Sequence, residues 1–153
     1  MLRISRLTDY ATVILAVLAA EPRVHTATAL AARTRIAAPT ASKLLKQLLH
    51  AGLVTSSRGL HGGYKLARPA QEISAAAILD ALEGRLALTD CSAGHGHCGL
   101  EGTCSVGRGW QRLNLAIRRS LADVSLAELA GLDSVAPGAL HRDIKEQLAN
   151  EHE

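Results

Sequence analysis

The chain has 153 residues, a mass of 16.1 kDa, a net charge of +3 and 48% hydrophobic residues. This length suits one compact domain with an appendage but hardly two full domains, and the hydrophobic content argues against disorder throughout. Phe is absent and aromatic residues make up only 2%, so the core must consist of Leu, Ile, Val and Ala, which favours helices.

Positive charge is concentrated in the first half of the chain. Up to Ala70 there are ten Lys and Arg residues against two acidic residues, Asp9 and Glu21, whereas the remainder carries seven against twelve. A basic first half joined to an acidic second half is typical of a phosphate-binding module attached to another function. When charge is considered alone, chance clustering of solvated surface residues explains the imbalance equally well.

The sequence shows no feature of a membrane or secreted protein. The apolar run Ala11–Ala20 is too short to cross a bilayer. The first six residues have no cleavable signal pattern, and three cysteines make a poor disulfide framework. We therefore expect a cytoplasmic protein without a membrane partner.

Two helices are predicted in the first part of the chain. The first spans Leu7–Ala20, with Thr8 as its N-cap. Its buried face is formed by apolar residues at helical spacing: Val13, Ile14, Val17 and Leu18. A short Ala-rich helix follows at Thr28–Thr34, and His25 between the two helices is expected at the surface. A turn at 35–38 then leads into a third helix.

This third helix, Thr40–His50, and the segment after it carry the main functional signal. Four leucines at three- and four-residue spacing form its buried side: Leu44, Leu45, Leu48 and Leu49. Pro39 suits its first turn, and Gly52 ends it. Two short strands at 53–56 and 64–66, joined by a glycine-rich turn, predict a β-hairpin.

Helix, short helix, turn, helix and hairpin occur in the order of a winged helix-turn-helix. The third helix would enter the major groove of DNA while the hairpin, the wing, follows the backbone. Candidate DNA contacts lie on the open side of this helix and in the wing: Thr40, Ser42, Lys43, Lys46, Arg58 and His61. Lys and Arg would neutralise phosphates, and the hydroxyls would position the helix on the DNA or read the bases.

The second half of the chain predicts two further helices. One spans Ile73–Glu83, with Ser74 as its cap and Gly84 as its end, and 86–88 is a short extended piece. The other carries an apolar stripe: Trp110, Leu113, Ile117, Leu121 and Val124. Nothing obvious in the chain covers this stripe, so it predicts a dimer seam, with packing back onto the domain as the alternative. A last helical turn begins at a Ser125 cap.

The predicted fold class is mainly α, a winged helix-turn-helix with a small β-hairpin wing and a long C-terminal dimerisation helix. We place the DNA-binding domain at 1–84, a cysteine-rich loop at 85–108 and the dimerisation helix region at 109–131. The tail, 132–153, shows only a weak helical periodicity of apolar residues and is predicted to be a frayed helix or disordered.

All the cysteines lie in one glycine-rich loop, spaced C-x6-C-x5-C with two histidines between the first two: Cys91, His95, His97, Cys98 and Cys104. Thiolates on a loop able to wrap an ion suit a soft metal centre. Three cysteines leave a four-ligand set incomplete, so a fourth ligand must come from elsewhere or from a partner subunit. An iron–sulfur cluster, a zinc site and free thiols fit the spacing equally well.

Several segments together resemble the Rrf family of bacterial winged-helix regulators, which includes IscR- and NsrR-type members. They are LTDYA at Leu7–Ala11, AGLV at Ala51–Val54, RGLHGGYKL at Arg58–Leu66, and the three-cysteine loop before a long helix. The N-terminal MLRISRLTDYATVIL is most similar to the branch that regulates Suf iron–sulfur assembly operons. This resemblance covers about residues 1–131.

The resemblance implies a homodimeric repressor or dual regulator of iron–sulfur assembly genes, whose iron–sulfur cluster tunes its affinity for operator DNA. Because a dimer places two reading units side by side, the operator should be a pseudo-palindrome of double-stranded DNA with half-sites about one helical turn apart.

The resemblance also implies three cluster ligands: Cys91, Cys98 and Cys104. The first gap is one residue longer than in IscR-type members, which also carry a histidine where this chain has Gly107. NsrR-type members use an aspartate of the first helix, donated by the partner subunit, and Asp9 occupies that place. Asp9 is therefore the preferred fourth ligand, with His95 and His97 as rivals. The Asp9 analogy implies a 4Fe–4S cluster and the IscR analogy a 2Fe–2S cluster.

Other function classes fit less well. An enzyme with a Cys–His nucleophile in the loop lacks a recognisable orienting residue or oxyanion-forming motif. A pure interaction module would leave the basic half without a role. The runner-up is a winged-helix regulator with a structural zinc or thiol redox site in place of a cluster.

Overall fold

The structure is a computed structural model that describes residues 3–93, 99 and 104–132. Within them it contains seven α-helices, one short 3-10 helix and one antiparallel hairpin. In chain order the elements are α1 (Arg6–Ala20), α2 (Ala27–Thr34), α3 (Ala38–His50), β1 (Val54–Ser57), β2 (Gly63–Leu66), the 3-10 helix (Ala70–Glu72), α4 (Ala75–Glu83), α5 (Asp90–Ala93), α6 (Gly107–Asp123) and α7 (Leu126–Leu129). The predicted fold, a mainly helical winged helix-turn-helix, is confirmed.

The first three helices begin one or two residues earlier than predicted. α1 follows Ser5, whose hydroxyl accepts a hydrogen bond from the Thr8 N–H at 3.3 Å. The prediction of Thr8 as the cap was therefore wrong, and Thr8 is a buried residue of the first turn. Thr26 caps α2. Ser74 and Ser125 cap α4 and α7, as predicted.

The core is assembled from α1, α2 and α3, with side chains added by the hairpin, α4 and α7. Its largest fully buried side chains are all aliphatic: Ile14, Leu15, Leu18, Leu30, Leu44, Leu45, Leu48, Leu53, Val54, Ile73, Ile78 and Leu126. Burial of such a side chain contributes about 1.5–3 kcal/mol. The predicted buried faces were wrong at two positions, since Val13 is 41% and Leu49 is 38% exposed.

The wing is attached to the start of α2 through His25. The His25 N–H donates to the Tyr64 carbonyl at 2.9 Å, and the Tyr64 N–H donates to the His25 carbonyl at 2.7 Å. A Cβ at Gly63 would collide with the same carbonyl, so this close approach requires glycine. The His25 ring is buried, contrary to the predicted surface position, and its Nε2 lies 3.2 Å from the Glu21 carbonyl oxygen.

The chain returns to the core after α6. The Ala75 N–H donates to the Val124 carbonyl at 2.8 Å, and the Leu126 N–H donates to the Ile73 carbonyl at 2.7 Å. Leu126 is fully buried, and α7 packs on α1 and on the 3-10 helix. Part of the segment 109–131 therefore completes the core of the DNA-binding domain.

Other parts of the chain differ in detail from the prediction or fall outside the structure. Residues 86–88 do not pair as a strand, and the short helix α5 was not predicted. Of the predicted tail, 133–153 lies outside the described residues. No helix in the described part has both the length and the apolar character needed to span a bilayer.

The start of α1 is held by the end of α4. Oε1 of Glu83 accepts hydrogen bonds from the Thr8 hydroxyl at 2.6 Å and from the Ser5 N–H at 2.8 Å. The Thr8 hydroxyl, followed by the Ser5 N–H, lowers the pKa of Glu83 below its usual value of 4.5. The folded state therefore favours the ionised carboxylate.

We expect Glu83→Gln to destabilise the protein at neutral pH and to have little effect in acid. Because the folded-state pKa is lowered, the carboxylate contributes stability that is fully present above its unfolded pKa and is lost as the pH falls through the folded value. Urea unfolding of both proteins between about pH 3 and pH 7 measures this difference. Glu72→Gln, at an exposed position, is the control. A difference in unfolding free energy that is constant across this range would contradict the assignment.

Candidate nucleic-acid interface and cysteine site

The outward face of α3 is polar and basic. Lys43 and Lys46 are exposed, and Thr40 and Ser42 are half-buried. The opposite face is packed into the core: Ala41, Leu44, Leu45 and Leu48. The four predicted contacts of this helix therefore have access to solvent on the side away from the core.

The N-terminus of α3 offers backbone donors that the sequence analysis missed. No side chain caps this helix, and Pro39 lies in its first turn. The first N–H groups of a helix lack intrahelical partners and lie at the positive end of its dipole, so an uncapped N-terminus suits a phosphate. The signal was present in the sequence, because Ala37 at the cap position has no polar side chain. Arg35 adds an exposed cation at the preceding turn, with a φ of +56°.

The wing presents its turn to solvent. β1 and β2 pair antiparallel, and Arg58 and His61 in the connecting turn are exposed. A Cβ at Gly62 would collide with the Ser57 carbonyl, so the turn closes tightly. Leu60 at the tip is 94% exposed and was not among the predicted contacts. The side chains of the turn therefore face outward from a fixed backbone.

Two of the three predicted cysteine ligands lie on elements that pack together. Cys91 is on α5 and Cys104 lies three residues before the start of α6; both are free and half-buried, and α5 packs against α6. The Thr89 hydroxyl lies 3.0 Å from the Cys91 Sγ. Two free sulfur atoms on adjacent elements fit the donor chemistry of an iron–sulfur cluster and equally that of zinc. The third cysteine and both rival ligands lie outside the described residues: Cys98, His95 and His97.

Position 107 faces the cysteine site. Gly107 is buried at the start of α6, and a Cβ built there would lie 3.7 Å from the Cys104 Sγ, an ordinary contact. A Cβ at this position would therefore fit beside the sulfur, but glycine supplies no donor. A fourth ligand for a centre held by Cys104 must therefore come from another position.

Asp9 is exposed in the first turn of α1, at the rim of an apolar cleft of about 350 Å³. The cleft lies between α1, α4, α6 and α7, and Leu79, Leu121 and Leu129 contribute to its walls. In the part of a single chain that the structure describes, no three His, Cys, Asp or Glu side chains are grouped to hold a metal. Asp9 therefore does not complete a site with the two described cysteines of its own chain.

The predicted apolar stripe of α6 divides into two parts. Trp110 and Leu113 in its first half are 42% and 46% exposed, whereas Leu121 and Val124 in its second half line the cleft. Adjacent exposed apolar surfaces of this kind are typical of an interaction site.

Known proteins resemble this chain in both sequence and structure. The Rrf2 family model, described as an iron-dependent transcriptional regulator, matches residues 4–131. An HTH-type transcriptional regulator of Haemophilus influenzae is 34% identical over 109 residues, covering 71% of each chain. CymR, the global cysteine regulator of B. subtilis, superimposes with a TM-score of 0.68 at 28% identity, covering 88% of this chain and 100% of that chain. IscR of T. potens superimposes with a TM-score of 0.63 at 25% identity, covering 92% and 96%.

We expect Lys43→Ala to weaken binding to duplex DNA and to reduce its salt dependence. Loss of one phosphate contact lowers the slope of log K against log salt concentration by about 1, and does so for all DNA sequences. Anisotropy titrations of a labelled random-sequence duplex at several KCl concentrations measure this slope. Arg119→Ala, which removes one charge from an exposed position on α6, is the matched control. Equal slopes for the two variants would exclude Lys43 from the DNA contact.

Proposed function

The chain belongs to the Rrf2 family of DNA-binding transcriptional regulators, which are not enzymes, and we propose that it is a cytoplasmic, homodimeric repressor whose operator affinity is set by an iron–sulfur cluster. Its proposed targets are the Suf-type genes of iron–sulfur assembly. The observation that carries this proposal is the pair of free, half-buried cysteines on α5 and before α6, in a chain that matches a family model described as iron-dependent.

Each subunit reads one half of the operator through α3. The exposed ammonium groups of Lys43 and Lys46 neutralise phosphates, which supplies affinity without sequence preference. The hydroxyls of Thr40 and Ser42 position the helix or read base edges. The uncapped N-terminus of α3 adds backbone N–H donors to a phosphate.

The wing extends the contact along the duplex. Arg58 and His61, exposed in its turn, meet the backbone beside the groove that α3 enters. In a two-fold symmetric dimer the two α3 helices require half-sites about one helical turn apart, so the operator is a pseudo-palindrome.

The dimer forms through α6 in this proposal. Trp110 and Leu113 of one subunit cover the apolar cleft of the other, and the two-fold axis repeats the contact. The exposure of both side chains and the apolar lining of the cleft support this pairing, because it removes both surfaces from water. It also brings Asp9 of the partner subunit, at the cleft rim, towards the start of α6, which Cys104 precedes.

Four ligands hold the cluster in this proposal: Cys91, Cys98, Cys104 and Asp9 of the partner subunit. When bound, the cluster supplies a redox centre whose retention depends on iron and oxidants. The chain's own residues convert its presence into a change of shape. Ligated thiolates fix α5 and the start of α6 relative to each other, and a ligand from the partner subunit fixes the two subunits. The spacing of the two α3 helices then shifts with cluster occupancy.

The decisive experiment is an absorption spectrum of protein purified without oxygen, with iron, zinc and sulfide analysis. We expect broad visible bands and iron with acid-labile sulfide in matching amounts, and loss of both in each Cys→Ser variant. Operator DNA selected from random duplexes should bind with different affinity once the cluster is removed. A colourless protein that carries zinc would contradict the cluster and leave the DNA-binding part standing.

We expect Asp9→Ala to lose the cluster faster to a chelator, and Gly107→His in the same chain to restore its retention. The histidine would add a donor on the side of the Cys104 sulfur, where a Cβ makes only an ordinary contact. The rate of bleaching of the visible bands measures retention. Asp123→Ala, a carboxylate removed from the exposed end of α6, is the control. Wild-type retention in Asp9→Ala would exclude Asp9 and favour the rival histidines of the loop.

A second candidate function keeps DNA binding by α3 and the wing but uses the cysteines as thiol sensors or as a structural zinc site. It is favoured by the fold shared with CymR, the global cysteine regulator, and by the free state of Cys91 and Cys104. A thiol sensor predicts that operator affinity changes reversibly with peroxide and dithiothreitol in colourless protein. A structural zinc site predicts an affinity that does not respond to iron, oxygen or nitric oxide.

We expect Leu113→Glu to dissociate the dimer, because a charge placed on the α6 face could not be buried in the partner's cleft without a large desolvation penalty. Sedimentation velocity over a range of protein concentrations measures the dissociation. Leu60→Glu, the same substitution at the wing tip, which is 94% exposed, is the matched control and should remain dimeric. Identical oligomeric states for the two variants would contradict the α6 interface.

A further inference from the structure

Asn114 is a buried polar residue in the middle of α6, with only 7% of its surface exposed. Its Nδ2 donates to the Leu86 carbonyl at 3.3 Å, and its Oδ1 accepts from the Leu88 N–H at 3.1 Å. Both partners belong to the irregular segment between α4 and α5. Asparagine is a poorer helix former than alanine or leucine, so its place inside α6 suggests a role for this pair of hydrogen bonds.

The same segment leads directly to Cys91, and α6 holds it at a second point. Gln111 lies three residues before Asn114, and its Nε2 donates to the Cys91 carbonyl at 3.1 Å. The Ser92 N–H donates to the Thr89 carbonyl at 2.9 Å, so the chain on either side of Cys91 is also hydrogen-bonded. The backbone that carries the Cys91 thiol is therefore attached to one face of α6.

An ion pair with α4 fixes the helix α6, to which the segment around Cys91 is attached. Arg118, four residues after Asn114, donates to both carboxylate oxygens of Asp80 on α4, at 3.1 and 2.9 Å. Hydrogen bonding to Asp80 raises the pKa of Arg118, so the guanidinium stays charged. Cys104 lies three residues before the start of α6, and its Sγ would lie 3.7 Å from a Cβ at position 107. Both described cysteines are thus placed relative to the same helix.

We propose that Asn114 is a positioning residue for Cys91. It fixes the segment before α5, so that the Cys91 thiol is held beside α6, the same helix that Cys104 precedes. Its two hydrogen bonds act before any metal is present, because they join groups of the protein alone. The relevance of this role to cluster binding rests on the proposed function, but the positioning itself does not.

The test measures alkylation of the two thiols in reduced, metal-free, full-length protein. Iodoacetamide is added for limited times, and peptide mass spectrometry gives separate rates for Cys91 and Cys104. Asn114→Leu leaves the Leu88 N–H and Leu86 carbonyl without their partner, so we expect alkylation of Cys91 to rise roughly five- to tenfold. The Cys104 rate should stay within about twofold of wild type, since the hydrogen bonds described for Asn114 go to Leu86 and Leu88.

Three further variants keep the proposal decidable if Asn114→Leu folds poorly. Asn114→Asp retains the acceptor for the Leu88 N–H and should give an intermediate Cys91 rate. Gln111→Leu removes only the bond to the Cys91 carbonyl from an exposed position and should raise the Cys91 rate alone. Ser120→Ala, also on α6, removes a hydroxyl that donates to the Ala116 carbonyl within the same helix; it is the control and should change neither rate.

The outcomes distinguish a specific effect of Asn114 on the position of Cys91 from a general loss of stability and from an effect on cluster binding. An unchanged Cys91 rate in both Asn114 variants would overturn the proposal, as would equal acceleration at Cys91 and Cys104 with a lower Tm. Selective acceleration at Cys91 supports it even in a protein that binds no cluster. In a protein that does bind one, Asn114→Leu should also bleach faster with chelator than Ser120→Ala.

Discussion

The contact between α1 and α3 is the interaction on which the other elements depend. Leu15 and Leu18 of α1 belong to the same buried cluster as Leu44 and Leu48 of α3. Because the chain contains no Phe, the buried residues of this cluster are Leu, Ile, Val and Ala, and they must pack at close range to exclude voids. The position of α3 is thus set by contacts on the face opposite its lysines, and the orientation of the face proposed to bind DNA is a consequence of core packing.

The sequence predicted α3 and the wing well because their signals are local. Leucine periodicity, Pro39 in the first turn and Gly52 at the end are read within one segment. The cap of α1 was misassigned because both Ser5 and Thr8 carry hydroxyls, and a contact with Glu83, 75 residues further along the chain from Thr8, commits the Thr8 hydroxyl elsewhere. Burial of His25 was equally unpredictable, since it depends on a backbone bridge to Tyr64.

For the cysteine site too, one part could be predicted from the sequence and another part could not. The spacing of thiols in the sequence indicated a soft metal or a redox site, because ligand chemistry is a property of residue type. The support of that site comes from Gln111 and Asn114, which lie 20 or more residues from the backbone groups that they bind. No periodicity marks them. An asparagine inside an amphipathic helix was the one available sign, and it has several ordinary explanations.

The helix α6 is anchored at both ends, and this connects the segment around Cys91 to the core of the domain. Its first half binds the segment around Cys91, and the residues after it pair with the start of α4 and deliver Leu126 to the core. Arg118 adds a tie to Asp80 between these points. Contacts near both ends and at Arg118 therefore hold α6 against the rest of the domain.

The bridge between His25 and Tyr64, with Gly63 pressed against the same carbonyl, has a thermodynamic consequence. A hinged wing would lose backbone entropy on meeting a duplex, whereas this wing is already ordered. If the wing contacts DNA as proposed, we expect the duplex to adapt to the wing more than the wing adapts to the duplex. We then expect base steps that bend or twist easily to be favoured even where no side chain reaches them, so that the deformability of the DNA contributes to the sequence preference.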